Sequence, residues 1–132
     1  MIISVSNKAY SQLLKGEWEG DFIFNNLRHR IYLEFILNPD TTYSVFSYSE
    51  GLNSEGKDPT VICKVYYKLL SQDSIYLEEL EVIAPKNAAS TCLQKMYLRI
   101  VRRKKSIQLA GTWNSDTEDC EASGGIFFVP MK

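Results

Sequence analysis

The chain is expected to fold as an all-β domain, an eight-stranded antiparallel up-and-down β-barrel with at most a short N-terminal helix. Three observations predict this. About eight stretches alternate apolar and polar residues with the period of a half-buried strand, and short turn signals separate them. No gap between them holds a crossover helix of the ~10 or more residues that parallel pairing requires. The frame Leu-x-Gly-x-Trp occurs twice, as Leu14-Lys15-Gly16-Glu17-Trp18 and as Leu109-Ala110-Gly111-Thr112-Trp113. A glycine admits close approach of another backbone or ring, and a tryptophan two residues later points to the same face. A meander of this kind leaves two free edges, and closing it into a barrel removes both.

The elements follow in order. Lys8 to Leu14 reads as a turn or two of helix before Gly16. In the first strand Trp18, Gly20, Phe22 and Phe24 share one face, opposite Glu17, Glu19, Asp21 and Ile23. Asn25-Asn26 then marks a hairpin, because asparagine tolerates left-handed backbone. Ile31, Leu33, Phe35 and Leu37 alternate with Tyr32, Glu34 and Ile36 in the second strand. Asn38-Pro39-Asp40 turns the chain into a third strand over residues 42–48. A polar loop from Glu50 to Pro59 follows.

Val61, Cys63, Val65, Tyr67 and Leu69 alternate with Lys64, Tyr66 and Lys68 in the fourth strand. Ser71-Gln72-Asp73 turns it into the fifth, residues 75–83, where the adjacent Glu78 and Glu79 break the alternation as a β-bulge would. After a loop at Pro85–Ser90, Met96, Leu98 and Ile100 alternate with Tyr97, Arg99 and Val101 in the sixth strand. Arg103-Lys104-Lys105-Ser106 forms a charged hairpin tip. Ile107, Leu109, Gly111 and Trp113 line the seventh strand. A polar stretch and Gly124-Gly125 lead into the eighth, Ile126–Val129.

Bulk properties narrow the function. The 132 residues suit a single domain with its own core, expected to span 1–132. With 45% hydrophobic and 23% charged residues the chain is ordinary for a globular protein. A formal net charge of −1 gives no electrostatic basis for nucleic acid or an acidic membrane as partner. Cys63, Cys92 and Cys120 are odd in number and widely spaced, so free thiols in a reducing compartment are expected. The start carries no basic leader and no stretch has the ~20 apolar residues of a membrane span. A cytoplasmic location is the expectation.

The paired frames support a resemblance. Gly16-Glu17-Trp18 at the opening of the first strand resembles the Gly-x-Trp signature of lipocalins and related calycins. Leu109 to Trp113 resembles the Gly-Thr-Trp segments of lipocalin-like and avidin-like barrels. The resemblance spans residues 14–129 by strand count, and the two Gly-x-Trp sites carry it by motif. It implies a barrel capped at one end by tryptophan and open at the other to a small, usually apolar ligand. A lipocalin's Thr-Asp-Tyr-like segment and C-terminal helix are not legible, and Arg28, Arg99 and Arg102 match no motif for its tryptophan-packing arginine. The resemblance is therefore to the lipocalin-like barrel at large.

Candidate chemistry is sparse. His29, the single histidine, stands between Arg28 and Arg30 and is expected in a solvated hairpin turn, which disfavours haem ligation and a Cys–His pair. The cysteines and His29 lack the close spacing of a zinc site, so no cofactor or metal is expected. Of Glu78 and Glu79, one must face inward if the strand is unbroken, where it could orient a polar ligand or act as an acid or base, because burial disfavours its charge. The favoured reading is a bulge that sends both to solvent. Arg102 to Lys105 are expected to form a solvated tip.

The leading expectation is non-catalytic binding of a small apolar or amphipathic molecule in the barrel interior. Its lining residues would be Trp18, Phe22, Phe35, Tyr43, Ser47, Tyr67, Met96 and Trp113. Across the closure seam, Trp18 and Trp113 are expected to seal one end together. The alternative is a protein interaction module with a side-chain-filled barrel, in which Tyr32, Ile36, Phe46, Tyr48, Tyr66 and Tyr97 meet a partner or a second copy as a homodimer. No enzyme activity is expected.

Overall fold

The computed structural model describes residues 13–24, 26–50, 60–84, 93–115 and 121–131. Eight strands follow one another: β1 (Gly16–Phe24), β2 (Leu27–Leu37), β3 (Tyr43–Glu50), β4 (Thr60–Ser71), β5 (Ser74–Ala84), β6 (Lys95–Arg102), β7 (Ile107–Ser115) and β8 (Ala122–Pro130). Each pairs antiparallel with the next, and β1 pairs with β8 from Trp18↔Pro130 to Phe22↔Ile126, closing the barrel. The Met131 N–H extends the seam by donating to the Glu17 carbonyl at 2.9 Å. The expected helix before Gly16 falls mostly outside the described residues, as do Asn25, the loop 51–59, the loop 85–92 and residues 116–120.

Strand parity decides the core. The alternating positions Trp18 and Phe22, Ile31, Leu33 and Phe35, and Met96, Leu98 and Ile100 are buried in one cluster inside the barrel. The intervening residues face out, so Tyr66 and Tyr97 are exposed.

Two glycines allow backbones to close up. A Cβ at Gly20 would overlap the Phe128 ring and lie 2.6 Å from the Phe127 carbonyl oxygen. A Cβ at Gly111 would overlap the Tyr97 carbonyl oxygen, so only glycine lets β6 and β7 pair there. Gly16 serves another purpose, with φ of +118° and no atom within 4 Å of where its Cβ would stand. That backbone turns the chain from Leu14 into β1 so that the Trp18 indole Nε1 donates to the Leu14 carbonyl at 2.9 Å. The two Gly-x-Trp frames are thus different devices.

They also lie apart. Trp18 is the third residue of β1 and Trp113 the seventh of β7, and these strands run in the same direction. The tryptophans therefore occupy opposite halves of the barrel, and the expectation that they seal one end together is overturned. Parity fixed which way each ring points; the position along the strand fixes its height.

Two further expectations are corrected. β2 begins at Leu27, which places His29 in a strand rather than a turn. Arg28 and Arg30 point outward to β1, where Arg28 pairs with Asp21 at 2.6 Å and Arg30 with Glu19 at 3.0 Å. His29 between them takes the opposite parity. It is 7% exposed, its ring centroid 5.2 Å from that of Phe22.

Second, the register of β4 on β5 steps from Lys64↔Glu81 to Val65↔Glu79, leaving Leu80 as the extra residue. The bulge exists, but Leu80 and Glu81 form its exposed pair. Ile75, Leu77 and Glu79 keep one inward parity, so Glu79 is buried and Glu78 faces out.

Candidate functional site

The eight residues expected to line a binding site all lie on the inward side, and they fall into three groups. At the Leu14 end, Trp18 donates to the Leu14 carbonyl, and Phe35, Tyr43 and Tyr67 form an aromatic trio whose rings meet edge-on at 5.5, 6.0 and 5.4 Å. The Leu14 N–H donates to the Tyr43 hydroxyl at 3.3 Å, tying the chain before β1 to this trio. Burial pushes the Tyr43 phenol up from its ordinary value. At the opposite end Phe22 packs edge-on to Trp113 at 5.0 Å and against His29. Met96, paired with Trp113 and Leu77, belongs to the wall between.

Ser47 belongs to neither aromatic group. Its hydroxyl donates to Glu79 Oε2 at 2.5 Å, from β3 across β4 to β5. The two come together because Ser47 pairs with Cys63 and the bulge brings Glu79 alongside the same part of β4. The Cys63 thiol interacts with both groups. On the other side, Glu79 Oε1 accepts the Gln94 N–H at 2.9 Å while the Glu79 N–H donates to the Gln94 carbonyl, also at 2.9 Å. The carboxylate replaces a ladder acceptor where β5 leaves β6. Ser115, next along, donates to the Leu93 carbonyl at 2.7 Å. A polar belt therefore crosses five adjacent segments of an otherwise apolar wall.

Electrostatics define the belt. Burial raises the Glu79 pKa, and this outweighs the hydrogen bonds from Ser47, Gln94 and Cys63 that favour the anion. Glu79 is 5% exposed, and its environment drives the carboxyl toward its neutral form. Burial first, and then the neighbouring carboxylate, pushes the Cys63 thiol up to about 12. Gln94 is 8% exposed, and its side-chain Oε1 is buried without a hydrogen-bond partner. Such an acceptor costs on the order of 1–3 kcal/mol unless something donates to it.

Glu79, Gln94 and His29 were missed as interior residues. The parity signal was present for all three: His29 extends that of Ile31 and Leu33, Glu79 that of Ile75 and Leu77, and Gln94 that of Met96 and Leu98. Among the described residues no group of three His, Cys, Asp or Glu side chains is placed to hold a metal ion.

A concavity lies on the outside. It encloses about 410 Å³ between Glu17, Tyr32, Leu33, Glu34, Tyr48 and Met131. The Tyr48 hydroxyl donates to Glu34 Oε1 at 2.8 Å there. None of the eight expected lining residues borders it. No protein-family model and no curated protein matches this chain.

Proposed function

We propose that this chain is a lipocalin-like container that binds a small, mainly apolar molecule inside the barrel without catalysis. The observation that carries the reading is Glu79, a carboxyl buried in an apolar wall and hydrogen-bonded to Ser47. Small-molecule sites commonly combine an apolar lining with a few placed polar groups. Here Phe22, Phe35, Tyr43, Tyr67, Met96, Trp18 and Trp113 supply the lining, and Ser47 and Glu79 the polar groups. The closed eight-stranded meander and the tryptophan at the opening of β1 agree with the calycin resemblance. Native mass spectrometry of protein purified from its own host should show a bound small molecule that is released on unfolding. Bare chain alone, together with no uptake of an apolar fluorescent probe, would contradict the reading.

One observation favours a second reading, a protein interaction module. Tyr66, Tyr76 and Tyr97 form a chain of ring contacts on the outer face of β4, β5 and β6, at 6.3 and 4.8 Å. Tyr66 is 45% exposed and Tyr97 52%. Exposed aromatic clusters favour association. Light scattering that finds a homodimer, dissociated by Tyr66→Glu, would support this reading over the container.

A further inference from the structure

The belt at Glu79 also selects the head group of an occupant, an inference that rests on the container reading. The buried polar side chains among the described residues are His29, Ser47, Glu79, Gln94 and Ser115. None is a lysine or arginine. His29 stacks on Phe22 at the β1–β2 pair. A carboxylate or phosphate head placed at the belt would meet a buried acid and, among the described residues, no buried ammonium or guanidinium. An unpaired charge in an apolar interior is strongly unfavourable.

What the belt offers is the opposite complement. Gln94 has the inward parity of Met96 and Leu98, and its buried Oε1 is an acceptor with no donor. Glu79 has both oxygens engaged, one by the Gln94 N–H and one by the Ser47 hydroxyl. The Ser47 hydroxyl retains capacity to accept. Gln94 Oε1 and the Ser47 Oγ both accept, so a group that donates and carries no charge fits this set. A hydroxyl does so.

We infer that the barrel selects an uncharged, apolar-bodied molecule with a hydroxyl head, which donates to Gln94 Oε1 beside the Ser47–Glu79 pair. Anionic amphiphiles of the same length are rejected by the belt.

The test is calorimetric titration of the full chain at neutral pH with 1-decanol and with decanoate, which share a chain length and differ in the head. Decanol should bind at least about tenfold more tightly, the ratio expected for one buried hydrogen bond against a buried unpaired charge. Gln94→Leu should weaken decanol about tenfold. Its unfolding midpoint should hold or rise, since an unpartnered acceptor is removed. Decanoate binding as tightly as decanol, or more so, overturns the head-group inference and leaves the container reading standing. Binding of neither overturns both. Unchanged decanol affinity in a folded Gln94→Leu protein also overturns it, and the wild-type comparison decides by itself if that variant does not fold.

Discussion

Ser47 and Glu79 sit on strands separated by β4, yet the Ser47 hydroxyl donates to the Glu79 carboxyl at 2.5 Å. They meet over the Cys63 thiol because the β4–β5 ladder loses register at Leu80. In a regular ladder, the residue following Glu79 would continue the alternation and no extra residue would separate Lys64↔Glu81 from Val65↔Glu79. The bulge lets one strand carry Ile75, Leu77 and Glu79 inward and then expose two residues in a row. A buried acid results, and its hydrogen bonds hold three strands and the start of a fourth in one place.

That acid makes stability depend on pH. Burial raises the Glu79 pKa above its ordinary 4.5, so the native state holds the proton more tightly than the unfolded chain. Protons are therefore released less readily on the folded side, and stability falls as pH rises from the unfolded value through the native one. Glu79→Gln keeps an oxygen for the Gln94 N–H and removes that slope. Urea unfolding of both proteins from about pH 4 to about pH 9 should show the variant gaining on the wild type as pH rises. Parallel pH profiles would mean that Glu79 titrates alike in both states.

Cys63 should be inert while the protein is folded. Its thiol is pushed up to about 12, mainly by burial, and it is fully shielded from solvent. At pH near 8 its alkylation by iodoacetamide should be at least roughly a thousandfold slower than that of an ordinary thiol with a pKa of about 8.5. Peptide mapping of residue 63 before and after denaturation checks this. Rapid native labelling would contradict the burial of the β3–β5 belt.

Gly111 should not tolerate a methyl group. A Cβ there overlaps the Tyr97 carbonyl oxygen, which is backbone and cannot rotate away. Gly111→Ala should cost about 1–3 kcal/mol through forced backbone movement. Gly125→Ala is the control: its Cβ would meet only the Gly111 oxygen at 3.8 Å, an ordinary contact. Equal unfolding midpoints for the two variants would show that β6 and β7 do not approach so closely.

How much of this was legible in the residues follows from what each feature depends on. Inward placement of Trp18, Phe22, Phe35, Ser47, Met96 and Trp113 follows from the pleat alone, which alternates side chains with period 2. Closure follows from antiparallel strands joined by short turns. The asparagine pair before His29 suggests a turn, and the flanking arginines suggest solvent, yet His29 lies within β2. The same flanking was in fact the alternation, with Arg28 and Arg30 paired outward to Asp21 and Glu19. The bulge lies one step beyond the place that two adjacent glutamates suggest, at Leu80 and Glu81. The inward parity of Gln94 follows from Met96 and Leu98, but its bond to the Glu79 carboxyl, 15 residues away, lies beyond local reading.

A small molecule inside this barrel, as proposed, is distinguished from one in its outer groove by two of the three methionines. Met96 is fully buried in the inner wall beside Trp113 and Leu77, whereas Met131 is exposed and borders the outer groove. With methionine methyls labelled with carbon-13, NMR titration with 1-decanol should shift the Met96 methyl and give ligand contacts to it. The Met131 methyl should stay in place. A moving Met131 methyl with Met96 unchanged would put the ligand on the outside and contradict the container.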